Sequence, residues 1–190
     1  VGQAVGTAAA LASAGGLTPR GVYEQCLPAL QQALMDDDCW LPGLRRAIPP
    51  LTQEAALTAS SGDPEPLRNG VDRPWDGQDN GWSAAPGSSW AEYRFAGPRR
   101  VQEVRLVFDS DLARDRAEHR MPCSYPLQAT PSSVTPLMTR AYSIAVEDPS
   151  GAWRTIVRQA NNHQRLVRHP LRCTCSAIRF VPEATWGAPH

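Results

Sequence analysis

WAEYRFAGPRRVQEVRLVFD, residues 90–109, alternates apolar and charged side chains in two runs. Ala91, Tyr93 and Phe95 interleave with Glu92 and Arg94, and Val104, Leu106 and Phe108 interleave with Glu103 and Arg105. A period of two places each apolar set on one face of a sheet and the charges on the other. Gly97-Pro98 with Arg99 and Arg100 interrupts the pattern, because proline fixes φ and lacks a donor while glycine tolerates turn dihedrals. The segment therefore predicts two β-strands joined by a turn. Working outward, Tyr142, Ile144 and Val146 alternate into Asp148-Pro149-Ser150-Gly151, and a strand returns from Trp153. Residues 166–173 and 177–181 predict two further strands. Many short strands with turn signals and no helices between them imply a β-sandwich or jelly roll over residues 57–190.

The chain has 190 residues, with 19 basic and 19 acidic side chains, and every basic one is arginine. A net charge of zero argues against a general binder of nucleic acid or anionic membrane, which needs a cationic field. The apolar residues 4–17 are too short for a membrane span, which takes about 20 residues. Five cysteines without a C-x-x-C pair imply neither a disulfide framework nor a zinc site. Cys173 and Cys175 share a face of a predicted strand and read as buried free thiols.

Residues 1–56 read differently. The alanine-rich run GQAVGTAAALA predicts a helix ended by Gly15-Gly16. Thr18-Pro19 is an N-cap followed by proline at the first helical position. Val22, Cys26, Leu30 and Leu34, with Tyr23 and Leu27 beside them, stripe a second helix. Pro28 should kink or divide it, and Asp36, Asp37 and Asp38 should stop it, since negative charge opposes the helix dipole at that end. The proline-rich residues 39–50 predict a connector, with one helical turn near Leu51.

The segment VGQAVGTAAALA, with its Gly-Gly break, Thr-Pro-Arg and second amphipathic helix, resembles the C-terminal end of the flavin domain in FAD-dependent oxidoreductases. Gly2, Ala4, Gly6, Thr7 and Ala8 match that family's helix, and Gln3 and Val5 occupy its variable positions. The resemblance implies that Gly2, Ala4, Val5, Gly6 and Thr7 bind FAD in a full-length parent. Free amides and a positive dipole end suit negative charge on a reduced flavin. No G-x-G-x-x-G occurs in the chain. The expectation is a C-terminal fragment of a longer flavoprotein that neither holds FAD nor catalyses anything by itself.

In the β-region the landmarks are an Asn-Gly loop, Trp82-Ser83, a strand from Trp90, Val-x-x-Val-x-Leu, Tyr-Ser-Ile-x-Val, a Trp153 strand, Asn161-Asn162, Ile178-Arg179-Phe180 and Thr185-Trp186-Gly187. Their order resembles the galactose-binding-like, discoidin-type jelly roll. That resemblance implies a further C-terminal strand, so the sheet is expected to lack an edge.

The best ligand candidate is the loop of residues 73–82, RPWDGQDNGW. Arg73, Trp75, Asp76 and Asp79 suit a carbohydrate: an indole stacks on a sugar ring, and the charged groups bond its hydroxyls. The competing reading makes Trp82 and Trp90 core anchors and the Asp and Asn residues turn formers. Asp72, Asp76 and Asp79 lack EF-hand spacing for calcium. His119, His163, His169 and His190 are scattered, and no H-E-x-x-H or G-x-S-x-G motif selects a catalytic residue. Arg114, Arg116 and Arg120 interleave with Asp111, Asp115 and Glu118 as a solvated mixed face. Three functional readings follow: part of a flavoprotein oxidoreductase with an accessory domain, a carbohydrate-binding module, and a structural or oligomerisation domain.

Overall fold

The structure, a computed structural model, describes residues 1–111 and 134–189. Among the described residues three helices come first: α1 Gly2–Gly15, α2 Pro19–Asp36 and the short α3 Pro50–Glu54. Five strands follow among them: β1 Ala56–Ala59, β2 Ala91–Val107, β3 Thr139–Glu147, β4 Trp153–Gln159 and β5 Leu166–Thr185. A 3-10 turn, Glu65–Arg68, lies between β1 and β2.

The helix ends follow the sequence signals. Gly16 adopts φ 62° and closes α1 in the left-handed conformation. The Thr18 hydroxyl accepts from the Gly21 N–H at 3.0 Å, with Pro19 at the first helical position. Pro28 does not divide α2, which runs unbroken to Asp36. Proline removes one intrahelical bond, while Val22, Leu34 and Met35 bury the face that holds the helix in place.

The sheet order is β1-β2-β5-β3-β4, antiparallel throughout. The expected turn at Gly97-Pro98 does not form, and β2 is one continuous strand. Arg94 pairs with Ala177 and Arg99 with Cys175, so residues 95–98 face only Ser176. The four-to-one mismatch is an enlarged bulge, a place where proline's missing donor breaks no ladder bond. The two strands expected over 166–181 are likewise one strand, β5. A second register shift leaves Gln102 opposite Leu171 and Arg172, and Arg172 takes φ 49°.

These irregularities divide the long β2–β5 pair. Its first part joins β1, β3 and β4 as the five-stranded sheet. Its second part, residues 99–107 against 166–175, is a two-stranded ribbon. Val101 and Phe108 join Tyr142, Ile144, Val146, Cys175 and Ile178 in one buried core. The Phe108 ring lies 5.1 Å from Tyr142 and 6.2 Å from Phe180. The ribbon thus covers the sheet as the second layer of a β-sandwich.

Two side chains depart from simple alternation. Glu92 is buried, although the pattern puts it on the solvent side. Arg179 and Arg94 bracket its carboxylate at 2.6 and 2.9 Å, which offsets the desolvation of the charge. Trp90 is half-buried and outside the core cluster. Its ring, like that of Trp153, lies against the Arg179 guanidinium, at 4.8 and 4.3 Å. Trp90 is therefore a cation–π partner rather than a core anchor. The basic cluster Arg114, Arg116 and Arg120, with His119, lies outside the described residues.

Candidate functional site

Trp75, Asp76, Gly77 and Gln78 form a two-residue hairpin. Asp76 and Gly77 take φ 52° and 73°, and Trp75 and Gln78 exchange backbone hydrogen bonds at 2.9 and 3.0 Å. Positive φ at both central positions defines a type I′ turn, for which Asp-Gly is a preferred pair. Asn80 secures the base of the loop. Its side chain accepts from Asn69 Nδ2 at 2.8 Å and donates to the carbonyls of Arg73 and Gln78. Gly70 is required beside it, because a Cβ there would lie 2.5 Å from the Arg46 carbonyl oxygen.

Trp75 is 49% exposed at the tip. One side of its ring meets Trp40, with centroids 4.5 Å apart and planes tilted by 59°. Asp76 and Asp79 are exposed beside it. Arg73 faces the other way. Its Nη2 donates to the Asp38 carbonyl oxygen at 3.1 Å and to Asp38 Oδ1 at 3.3 Å, and its guanidinium lies 5.4 Å from the Trp40 ring centre. The structure brings Trp75, Asp76 and Asp79 to one surface and directs Arg73 beneath it. Trp40, in the proline-rich connector, was not singled out from sequence; its only signal is a large aromatic where a linker needs none.

Below the loop lies a network of acids and arginines. Asp38 bonds Arg165 Nε at 2.6 Å, and Asp72 bonds Arg105 at 2.9 Å and Arg46 at 3.2 Å. Arg168 reaches Asp36 at 2.6 Å and Glu103 at 2.8 Å, and Arg165 also donates to the Asp72 carbonyl oxygen. The last carbonyls of α2 need donors, and Arg105 supplies one to Asp36 O at 2.8 Å while Arg168 supplies another at 2.9 Å. Burial pushes the Arg105 pKa down, against the pull of Asp72. For Arg168, burial opposes the charge, but Asp36 and Glu103 outweigh it and the pKa rises. Asp72 thus faces arginines instead of a calcium ion. No group of three or more His, Cys, Asp or Glu residues is placed to hold a metal among the described residues.

No protein-family model matches the chain, and no curated protein matches it by sequence. Solved structures do match by shape. One is the family 32 carbohydrate-binding module of Streptococcus pneumoniae EndoD, with TM-score 0.50 and 15% identity over 72% of this chain and 87% of that one. Chitosan-binding module 1 of a Paenibacillus sp. IK-5 chitosanase/glucanase reaches 0.46 at 19% identity over 73% and 89%. The family 32 module of C. perfringens NanJ, solved with galactose, reaches 0.46 at 12% identity over 72% and 87%. The fold is a galactose-binding-like β-sandwich. It is mainly β, with the helix pair α1–α2 ahead of it.

Within that galactose-binding-like frame the remaining candidates fall into place. Asn162 is buried and donates to the carbonyls of Thr139 and Gln164, both at 3.0 Å. Its own carbonyl accepts from Trp186 Nε1 at 2.8 Å, and His163 lies over the Trp186 ring at 4.7 Å. These contacts lock the loop between β4 and β5. Tyr142 OH and His169 Nε2 are hydrogen-bonded at 2.8 Å between the layers. Burial pushes Tyr142 up to about 12 and lowers His169. The described cysteines are free thiols, and burial raises Cys175 to about 12. In α1, Gly2, Ala4, Val5, Gly6 and Thr7 lie on a helix with no buried residue, and no atom lies within 4 Å of a Cβ placed at Gly2 or Gly6. Among the described residues no helix is long and apolar enough to cross a membrane.

Proposed function

We propose that this protein binds a carbohydrate at the Trp75 loop. The observation that carries the reading is an exposed indole held on a type I′ hairpin, backed by Trp40, with two exposed carboxylates beside it. A pyranose ring stacks its C–H face on Trp75, and Asp76 and Asp79 accept hydrogen bonds from its hydroxyls. Arg73 holds the loop from below. A fold shared with a module named for carbohydrate binding supports the same reading. Two carboxylates at the surface repel uronates and sialates, so the ligand is a neutral or amino sugar. A glycan array probed with wild type and Trp75→Ala tests this. Binding to neutral or amino sugars that vanishes in the variant is expected; wild type binding no glycan would overturn it.

A second reading is favoured by α1. Its sequence is almost wholly Ala, Gly, Leu and Val, yet none of its residues is buried. An apolar helix of that kind suits packing against a further body. We propose that this body is the flavin domain of an FAD-dependent oxidoreductase, with Gly2, Ala4, Val5, Gly6 and Thr7 forming one wall of the FAD site. The open face at Gly2 and Gly6 fits the close approach of a flat ring. FAD would supply the redox chemistry; these residues would contact its edge and offer first-turn N–H groups to negative charge. Expression together with the upstream coding sequence should give a yellow protein with flavin absorbance. A colourless, folded product would sink this reading and leave the carbohydrate one intact.

A further inference from the structure

The ring contact that places the Trp75 indole comes from outside its hairpin. Residues 74–79 are all exposed, and a lone hairpin is marginal in water. The ring is placed by a chain of contacts that leaves the sandwich and returns to it. Trp75 meets Trp40 at 4.5 Å, and Arg73 lies over Trp40 at 5.4 Å. Arg73 is tied to Asp38 just past α2, and Asp38 is tied at 2.6 Å to Arg165 of the sandwich. The space beneath Trp40, bounded by Met35, Leu44 and Arg73, is only about 20 Å³, so Trp40 is closely packed on that side.

We infer that Trp40, contributed by the helical segment, is a positioning residue of the carbohydrate site, which is therefore a composite of both parts of the chain. This rests on the carbohydrate reading above. Trp40 presses on one side of Trp75 and leaves the other for a single sugar ring. The tilt of 59° means that the two indoles do not form one flat platform. The site accordingly fits one pyranose of a soluble chain end and not the plane of a crystalline polysaccharide. Without Trp40, the Trp75 side chain must be ordered at the moment of binding, a loss on the order of tenfold in affinity.

The test uses the full 190-residue chain. Trp40→Ala, Trp40→Leu, Trp40→Phe and Trp75→Ala are titrated by calorimetry with lactose, cellobiose, mannobiose, chitobiose and chitosan disaccharide. Far-ultraviolet circular dichroism is recorded in parallel, since the intense B-band transitions of two indoles this close couple as an exciton pair. The couplet should vanish in Trp40→Ala and Trp75→Ala alike. For any sugar the wild type binds, Trp75→Ala should abolish binding, Trp40→Ala and Trp40→Leu should weaken it roughly tenfold, and Trp40→Phe should restore most of it. Trp40→Leu keeps apolar bulk and decides the matter if the alanine variant fails to fold. Wild-type affinity in Trp40→Leu, with Trp75→Ala inactive, overturns the role of Trp40 while the carbohydrate reading stands. A wild type that binds none of the sugars overturns both.

Discussion

Single residues carry contrasting duties in similar sequence settings, and the tryptophans show it. Trp75 and Trp90 both flank turn-rich sequence, and neither is in the core cluster. Trp75→Ala removes one ring contact at an exposed site, so its stability cost should be about 1 kcal/mol. Trp90→Ala removes a half-buried ring and its contact with Arg179, and should cost about 2 kcal/mol, less than the 3–5 of a fully buried aromatic. Urea melts of both variants measure the difference, and equal losses would contradict the placement. The Asp-Gly turn beneath Trp75 was legible because its signal is local. Trp40 was not, because its partner is distant in sequence and nothing in the connector marks the contact.

Residue-scale chemistry also sets a pH dependence. His169 is lowered by burial, and its Nε2 is bonded to Tyr142 OH between the layers. Its folded pKa lies below the unfolded value of about 6.5, so the unfolded chain takes up the proton first. The stability contribution is complete above that value and is lost as pH falls through the folded pKa. Thermal melts should therefore begin to drop as pH falls below about 6.5, ahead of the carboxylates. In His169→Gln, which keeps a hydrogen-bonding group without a titration, this step should flatten. An unchanged step would assign it to another group.

At the scale of elements, the informative departures are the strands that did not end. Gly97-Pro98 has the composition of a turn, and sequence alone cannot separate a turn from a bulge that lets one strand pass between layers. Glu92 was misplaced for a related reason. Alternation assigns faces, but a buried carboxylate becomes tolerable only when arginines from other positions meet it. The run Asp36–Asp38 was rightly read as the end of α2. Its second role, as the acceptor set for Arg73, Arg105, Arg165 and Arg168, is written in residues up to 132 positions away. Arg105 is the most buried arginine of this network, with its side chain 11% exposed. Arg105→Met should leave the Asp72 carboxylate with Arg46 alone and the Asp36 carbonyl with Arg168 alone. The expected loss is about 2–4 kcal/mol, below the 3–5 of a fully buried pair. Chemical denaturation measures it; a cost under 0.5 kcal/mol would show that the network is decorative.

Across the whole molecule, these contacts decide whether helices and sandwich behave as two bodies or one. Arg105, Arg165 and Arg168 stand on the sandwich, and their acceptors Asp36, Asp37 and Asp38 stand at the end of α2. Removal of residues 1–56 strips all three acids together with Trp40. Asp72 and Glu103 remain for Arg105 and Arg168, but the carboxylate partner of Arg165 is lost. A partly buried guanidinium without its carboxylate is costly, and the exposed ribbon face loses its cover. The prediction is one cooperative transition for the full chain in scanning calorimetry, and a lower melting temperature for residues 57–190 alone. High salt should narrow the gap only in part, because screening at 1 M acts beyond about 3 Å and most of these pairs are partly buried in direct contact. Two well-separated transitions, or a truncated sandwich as stable as the full chain, would show that the helical pair is only tethered. A site built from Trp40 and Trp75 could then not be held together.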